Sequence, residues 1–226
     1  MSVSESLGND SVVSPRWAVV LFDLDGTLAN SLDLIVASYG HAFASVTGRV
    51  ISGVDALPWI GQTLAQTFQR EDAAHAAELE TAYRAFNEAH ADDMIIGYPG
   101  VPQLVADLRA AGVITGVVTA KRHAIALRTM ALAGLGDSIS LIGAMESTPS
   151  HKPDPAPLLA ACAKLGVEAS TCCYVGDAIF DIQAAHAAGM AGIAVTWGAG
   201  LEDDLIAQDP TAVCHDADEL RAALLG

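Results

Sequence analysis

The sequence predicts an α/β protein: a Rossmann-like, doubly wound parallel sheet core with an inserted α-helical cap domain. A short apolar run at residues 17–22 has the length of a strand buried on both faces. Residues 31–96 then carry their apolar side chains at helical spacing. From Tyr98 onward, short apolar runs alternate with helical patterns, which is typical of a parallel sheet whose strands are connected by helices.

The first predicted strand ends in the segment 23–27, DLDGT, which places two carboxylates and a hydroxyl directly after the apolar run. Gly26 allows the chain to turn sharply there. A calcium loop of the helix-loop-helix type is disfavoured because that loop needs Gly at its sixth position and Glu at its twelfth. Counted from Asp23, those positions hold Leu28 and Leu34. Acids at the tip of a buried strand indicate a functional site.

The inserted segment is predicted to be a small bundle of three helices. The first carries Ile35, Tyr39 and Phe43 on one stripe and ends near Gly48. Many alanines and glutamates favour helix in the third. The cap is expected to open and close over a site on the core. The predicted ranges are 64–70 and 71–90 for the second and third helices, and 29–31 and 96–99 for the hinges.

The rest of the chain is predicted to alternate between helix and strand. Pro153 is expected at a helix start, where its missing N–H does no harm. The resulting organisation is a loose tail at 1–15, a core domain at 16–30 and 97–226, and a cap domain at 31–96. The predicted strands are 113–118, 139–142, 172–175, 193–196 and 212–214, and the predicted helices end near Gly112, Ala133, Leu165, Ala188 and Leu225.

Composition excludes several classes of function. The chain has 226 residues and a formal net charge of −16, and it has no basic cluster that would offset this charge. Binding to nucleic acid or to an anionic membrane surface needs a positive footprint, so both are disfavoured. An acidic protein that handles an anion needs local compensation from a metal ion, lysines or helix N-termini. The sequence does not determine an oligomeric state.

The cysteines and the N-terminal segment predict a cytoplasmic protein. Cys162, Cys172, Cys173 and Cys214 show no Cys-x-x-Cys spacing and are expected to be small core residues of a reduced protein. The first fifteen residues contain no apolar region of the kind found in secretory signals. No apolar run approaches the roughly 18 residues that a membrane-spanning helix needs.

Three predicted strands end in residues that can bind a ligand, namely Asp23, Thr119 and Asp177. The carboxyl ends of parallel strands lie at one edge of the sheet, and Lys152 in the loop after the third strand of the core can reach the same edge. Carboxylates, a hydroxyl and a lysine suit phosphoryl transfer, with Mg²⁺ reducing the repulsion between an anionic nucleophile and a phosphate.

Four segments resemble, in order and approximate spacing, the four motifs of the haloacid dehalogenase-like phosphohydrolase superfamily. A helical cap between the first two motifs is similar to the subgroup that contains phosphoglycolate phosphatase, β-phosphoglucomutase and a bacterial inorganic pyrophosphatase. The resemblance extends from about Trp17 to the end of the chain. The four segments are 23–27 (DLDGT), 118–119 (VT), 152–153 (KP) and 176–181 (GDAIFD).

This resemblance implies a role for each acid in the first motif. Asp23 would be the nucleophile that forms an aspartyl-phosphate. Asp25 would be the general acid for the leaving group and then the general base for water. Mg²⁺ would be held by the carboxylates of Asp23 and Asp177 and by the backbone carbonyl of Asp25. The namesake dehalogenases are disfavoured, because as a family they lack the second aspartate and need no metal.

The resemblance also implies the phosphate-binding residues. Thr119 and Lys152 would bind the phosphoryl oxygens, together with backbone N–H groups near Asp25 and Ala120. Asp181 would act on the metal through water or a neighbouring ligand. Two alternatives stay open: Thr119 as a cap of its strand, and Asp181 as a residue that orients Lys152. The familiar Asn after Thr119 is replaced by Ala120, which leaves only a backbone contact at that position.

Other polar residues near the motifs are interpreted as bystanders. His151 adjoins the motif lysine, but Asp25 already fills the proton-transfer role. Lys121 and Arg122 follow Thr119 and are expected to lie in a solvated first helical turn, with a contribution of charge to a substrate as the alternative. Four cap residues are candidates for substrate contacts, without a choice among them: Gln62, Thr63, Arg84 and Asn87.

The leading functional hypothesis is a magnesium-dependent phosphatase for a small phosphorylated metabolite, with phosphoglycolate as the nearest named substrate. The segment 98–101, YPGV, is typical of the phosphoglycolate phosphatase branch, whereas 59–64 and 83–87 are more similar to the pyrophosphatase branch. Hydrolysis of pyrophosphate is therefore an alternative. A β-phosphoglucomutase-like transferase and a receiver-like signalling module are further alternatives, and the cap and Asp25 argue against the receiver.

Overall fold

The computed structural model describes residues 15–226, and of the predicted tail only Pro15 falls within this range. Six strands form one parallel sheet in the order β5-β4-β1-β6-β7-β8. The central strand β1 has β4 on one side and β6 on the other, so the winding reverses beside it. The strands are β1 Val19–Phe22, β4 Ile114–Val118, β5 Ser140–Gly143, β6 Cys172–Gly176, β7 Ala191–Val195 and β8 Ala212–Cys214.

Strand β1 is fully buried because helices cover both faces of the sheet. Its side chains alternate: Val20 and Phe22 pack in one apolar cluster, and Val19 and Leu21 pack in another on the opposite face. This arrangement confirms the predicted doubly wound sheet. The helices of the core are α5 Val101–Ala110, α6 His123–Leu132, α7 Ala156–Leu165, α8 Ile179–Ala187, α9 Glu202–Ile206 and α10 Ala217–Leu225.

The register of the central strands aligns the starts of three motifs. Phe22 pairs with Val117 on one side and with Val175 on the other. The three motifs begin directly after these positions and therefore lie at the same edge of the sheet. This places Asp23 next to the ends of β4 and β6.

Four helices occupy the inserted segment, and two short strands connect it to the sheet domain. The strands β2 Ala29–Asn30 and β3 Ile96–Gly97 pair antiparallel, so the outgoing and returning chains lie side by side. They flank the helices α1 Leu32–Thr47, α2 Gly53–Ala56, α3 Leu64–Glu71 and α4 Ala76–Met94. The domain limits at residues 31 and 96 stay a prediction, as does the hinge function of the paired connections.

The cap has an apolar core of its own, separate from the two clusters on the sheet. Tyr39 is at its centre, with the ring of Trp59 at 5.1 Å, that of Phe68 at 5.5 Å and that of Tyr83 at 4.8 Å between centroids. Edge-to-face contacts of this kind stabilise the packing beyond the area that they bury. The cap is therefore a small bundle held together by aromatic residues.

Several local predictions differ from the structure. The third cap helix begins at Ala76 rather than at residue 71, because a turn in which Asp72 accepts the N–H of His75 separates α3 from α4. Pro153 does not begin a helix: α7 starts at Ala156, with Pro155 as its N-terminal cap. The sequence also did not predict the short helices α2, the fourth helix of the cap, and α9.

The four cysteines are free thiols, and all are buried. This agrees with the prediction that they are core residues. No helix among residues 15–226 combines the length and the apolar character required to span a membrane.

Candidate active site

The turn after β1 presents Asp23 at the edge of the sheet. Its N–H donates to the carbonyl of Val175 at 2.9 Å, which continues the pairing of β1 with β6 by one residue. Gly26 has a φ of 79°, a left-handed conformation that favours glycine, so the chain can reverse there as the sequence predicts. The Asp23 side chain is buried. The first motif thus begins with a carboxylate that is shielded from bulk water.

Lys152 reaches this edge from the loop before α7 and is only 2% exposed. Its Nζ lies 2.5 Å from Oδ1 of Asp181 and 3.0 Å from Oδ1 of Asp23. It also donates to the hydroxyl of Tyr174 at 3.2 Å, and that hydroxyl donates to the carbonyl of Val118 at 2.7 Å. The ammonium is therefore fixed by partners from three different segments of the chain.

Asp177 is held by contacts to both of its oxygens. Oδ1 accepts the hydroxyl of Thr27 at 2.7 Å, and Oδ2 accepts the N–H of Ala199 at 2.7 Å. A side chain at either Gly26 or Gly198 would overlap the Asp177 carboxylate. The two glycines therefore provide the space in which this acid packs against the first motif.

Three buried acids cluster at the sheet edge. Asp23, Asp177 and Asp181 each offer a carboxylate oxygen within 4.8 Å of the other two. Burial raises the pKa of Asp23 to about 7, an effect that Lys152 opposes. Burial and then the neighbouring Asp181 raise the pKa of Asp177 to about 8. The protein without metal thus resists full ionisation of this cluster.

The cluster contains a buried carboxylate oxygen without a hydrogen bond among the described residues, and a bound cation would satisfy it. Oδ1 of Asp23 makes no hydrogen bond within the described part of the chain, although the Lys152 ammonium lies nearby. Burial alone would lower the pKa of Lys152, but Asp181 and Asp23 outweigh this effect and raise it well above its usual value. One ammonium facing three carboxylates leaves an excess of negative charge, and oxygen ligands of this kind suit Mg²⁺. The Asp25 side chain lies outside this cluster.

Asp25 faces the cap instead. Its Oδ1 accepts the hydroxyl of Ser31, the residue before α1, at 2.5 Å. The same oxygen is 2.5 Å from Nζ of Lys121, whose side chain is only 11% exposed. The interpretation of Lys121 as part of a solvated helical turn is therefore wrong, because its ammonium points back to the first motif.

Thr119 and Ala120 line the same cavity as Asp23 and Asp25. Thr119 is buried, and its Oγ1 accepts the N–H of Lys121 at 3.2 Å. This contact is the local capping bond that the alternative interpretation expects, but it leaves the hydroxyl proton free to donate to a ligand. The structure thus brings Thr119 to the site without deciding between the two interpretations.

The cavity lies between the cap and the core and has a volume of about 200 Å³. Of the four cap candidates, Gln62, Arg84 and Asn87 line it, whereas Thr63 caps the N-terminus of α3 by accepting the N–H of Gln66. Among the described residues that line the cavity, His151 is not included. The cap wall also includes Tyr39, Trp59, Ile60 and Tyr83.

Sequence reasoning missed several residues that position the site. Tyr174 lies inside an apolar strand, so nothing in the local sequence distinguishes it from a packing residue. Thr27 ends the first motif and Ser31 follows it, but the sequence does not show that Thr27 donates to Asp177 and Ser31 to Asp25. Trp197 donates its indole N–H to the carbonyl of Thr27 at 3.1 Å, across 170 positions of sequence. A parallel sheet creates such contacts, and sequence spacing does not reveal them.

An α/β sheet with buried acids and a lysine at its switch point, covered by a helical cap, defines the class of capped phosphohydrolases. The family model for haloacid dehalogenase-like hydrolases matches residues 20–195. The chain belongs to this family, and it is a phosphohydrolase of the phosphatase type.

Individual relatives agree with this assignment. Pyrophosphatase PpaX of Bacillus velezensis is 32% identical over 205 residues, which covers 91% of this chain and 95% of that protein. The crystal structure of a predicted phosphoglycolate phosphatase from Haemophilus somnus is 29% identical, with a TM-score of 0.79 over 92% of this chain and 98% of the other. A hydrolase from Pseudomonas syringae, 24% identical, shares the fold with a TM-score of 0.80 over 90% of this chain and 95% of its own.

Proposed function

We propose that the protein is a magnesium-dependent hydrolase of inorganic pyrophosphate that works through an aspartyl-phosphate. The observation that carries this proposal is the composition of the cavity wall. The two cap segments that resemble the pyrophosphatase branch, 59–64 and 83–87, both contribute residues to the cavity. The segment typical of the phosphoglycolate branch starts at Tyr98, whose hydroxyl donates instead to the carbonyl of Trp197.

The chemistry is divided between the two acids of the first motif. A carboxylate oxygen of Asp23 attacks phosphorus, and the bond to the bridging oxygen breaks. Asp25 gives a proton to that oxygen, and phosphate leaves. Asp25 then takes a proton from water, whose oxygen attacks the phosphorus of the aspartyl-phosphate. This second step releases phosphate and restores Asp23.

The proposed metal ligands are the carboxylates of Asp23 and Asp177 and the backbone carbonyl of Asp25. Magnesium there would neutralise the charge that develops on the phosphoryl oxygens. Asp181 is proposed to orient Lys152 and to influence the metal indirectly. The contacts of its carboxylate support this role, because one oxygen meets Lys152 and the other accepts the N–H of Ala178.

Thr119 and Lys152 are proposed to bind the phosphoryl group that is transferred, with the backbone N–H near Ala120. Thr119 lines the cavity with Asp23, and Lys152 contacts Asp23 directly. An aspartyl-phosphate formed on Asp23 would therefore place its oxygens next to both groups. The cap helices, proposed as residues 31–96, would exclude bulk water from this intermediate.

Phosphoglycolate is the second candidate substrate. The solved structure from Haemophilus somnus bears the name of a predicted phosphoglycolate phosphatase, and the segment 98–101 supports the same branch. Membership of the hydrolase family leaves the receiver-like alternative without support. The buried free thiols support the proposal of a reducing, cytoplasmic environment.

A substrate panel tests the proposal. Purified protein with Mg²⁺ is assayed for phosphate release from pyrophosphate, phosphoglycolate and β-glucose 1-phosphate. We expect kcat/KM for pyrophosphate to exceed that for phosphoglycolate by at least about tenfold, the effect of 1.4 kcal/mol. A preference for phosphoglycolate would replace the proposed substrate, and an absence of phosphate release from all three would reject the hydrolase function at this site.

A further inference from the structure

We infer that Lys121 binds the negative charge of the leaving group and so selects substrates in which this charge lies next to the scissile bond. This inference rests on the proposed function and extends it. Lys121 has no role in the chemistry described above. It nevertheless carries one of the few cationic side chains in the cavity, and this chain has only 11 lysines and arginines.

The backbone of Lys121 is fixed at the cavity wall. Its N–H donates to Oγ1 of Thr119 at 3.2 Å, and its carbonyl accepts the N–H of Met145 at 2.9 Å. The side chain has 11% of its surface exposed, and its ammonium lies on Oδ1 of Asp25. A flexible lysine chain on a fixed backbone can change partners with little movement of the fold.

The position of Asp25 determines what this ammonium can reach. As the general acid, Asp25 must contact the oxygen that bridges the transferred phosphoryl group and the leaving group. The leaving group therefore lies beside the Asp25 carboxylate, where the ammonium of Lys121 already is. A substrate anion at this place offers Lys121 a second partner at the same end of its side chain.

The two lysines of the site are thus suited to different halves of the substrate. Lys152 is buried among Asp23, Asp181 and Tyr174, and its partners leave it directed to the phosphoryl group on Asp23. Lys121 lines the cavity beside Asp25, on the side of the leaving group. Arg122 from the core and Arg84 from the cap line the same cavity and add positive charge there.

This arrangement favours a defined class of substrate. The leaving group is small, since the cavity holds about 200 Å³, and it carries an anion within a few bonds of the bridging oxygen. Pyrophosphate fits, with a second phosphoryl group as its leaving group, and so does phosphoglycolate with its carboxylate. A neutral alcohol as leaving group gives Lys121 nothing to bind and leaves it on Asp25.

The test compares Lys121→Gln with the wild type on paired substrates. Phosphoglycolate and 2-hydroxyethyl phosphate differ in the carboxylate of the leaving group, and pyrophosphate is assayed beside them. We expect Lys121→Gln to lower kcat/KM about 30-fold for the two anionic leaving groups, mainly through KM, as the loss of a charge-assisted hydrogen bond predicts. For 2-hydroxyethyl phosphate the loss should be at least about tenfold smaller, because the substitution removes only the contact of Lys121 with Asp25 there.

Controls separate binding from a structural effect. Lys121→Arg should recover most of the activity on anionic leaving groups, because the charge is retained. Lys164→Gln is the matched control, since Lys164 is exposed and its Nζ donates to the carbonyl of Ile142, away from the cavity. Equal losses on charged and neutral leaving groups would overturn the inference in favour of a role in placing Asp25. Unchanged kinetics on all substrates would also overturn it.

A binding measurement keeps this inference distinguishable from the proposed function. Methylenediphosphonate and methylphosphonate are titrated into the wild type and Lys121→Gln in the presence of Mg²⁺. We expect the substitution to weaken only the diphosphonate, again by about 30-fold. If the wild type does not hydrolyse pyrophosphate but the substitution weakens only the diphosphonate, the proposed substrate is wrong and the role of Lys121 is supported. Equal weakening of both ligands would reject the role of Lys121.

Discussion

The core edge and the cap wall of the cavity differ in how firmly their polar side chains are held. At the core edge, Lys152 and Asp177 are buried and have partners on distant segments of the chain. On the cap wall, Arg84 pairs with Glu80 one helical turn away, and both side chains are 30% exposed. Only the first pattern fixes charges in space before a substrate arrives.

This difference assigns separate tasks to the two regions. A buried ion pair is costly to rearrange because each partner left alone would be an unpaired charge in a medium of low dielectric constant. An exposed pair within one helix can exchange partners at small cost. The core edge is thus suited to constant chemistry, and the cap wall to recognition that can vary among relatives with the same sheet.

The largest effect is expected at the core edge, from Asp23→Asn. The amide cannot form the aspartyl-phosphate, so we expect kcat for the preferred substrate to fall by at least about a thousandfold. The fold should be retained because the substitution is isosteric and removes a carboxyl whose ionisation is disfavoured by burial. Phosphate release and thermal melting are measured in parallel. If the folded variant retains turnover, Asp23 is not the nucleophile. The core edge would then not carry out the chemistry that is assigned to it here.

A smaller effect is expected on the melting temperature of the metal-free protein, because the charge balance of the core edge changes with pH. The folded-state pKa values of Asp23 and Asp177, about 7 and about 8, lie above the usual carboxyl value of 3.8. The protonated acids therefore contribute stability at low pH that is lost as the pH rises towards 8. We expect the melting temperature without metal to fall between pH 5 and pH 8, a range that lies above the usual carboxyl pKa of 3.8 and reaches the higher of the two folded-state values.

Magnesium bound to the ionised carboxylates, as proposed above, should counteract this loss. We expect the increase in melting temperature on adding Mg²⁺ to be about 3 °C or more larger at pH 8 than at pH 5. Asp177→Asn removes one of the two groups and should flatten the pH dependence. An increase that is the same at both pH values would show that these acids do not hold the ion.

The smallest effect is expected on the cap wall, from Arg84→Gln. Its guanidinium is partly exposed and paired within its own helix, so its contribution to binding is screened by solvent. We expect KM for pyrophosphate to rise about threefold with kcat unchanged. Arg109→Gln serves as the control, because Arg109 is exposed and donates to the carbonyl of Ser138. A loss of tenfold or more in kcat would contradict the assignment of chemistry to the core edge and of substrate binding to the cap wall.

The predicted fold and the residues brought to the sheet edge follow from local features of the sequence. Asp23 and Asp177 follow short apolar runs, and parallel strands necessarily end at one edge. Helical spacing between residues 31 and 96 likewise predicts the cap. Helix limits were less accurate: the turn at Asp72 and the start of α7 depend on capping contacts that apolar periodicity does not encode.

The sequence by itself determined the reaction class, because three of the four motifs begin at strand ends and the ligand groups of each motif are set within a few residues. Only the tertiary structure decided which side chains line the cavity beside Asp25. Lys121 was expected in solvent, yet its ammonium contacts Asp25 across 96 positions of sequence. Tyr174 looked like an ordinary strand residue, yet it accepts a hydrogen bond from Lys152. Long side chains take the direction that packing and charge allow, and both are properties of the folded chain.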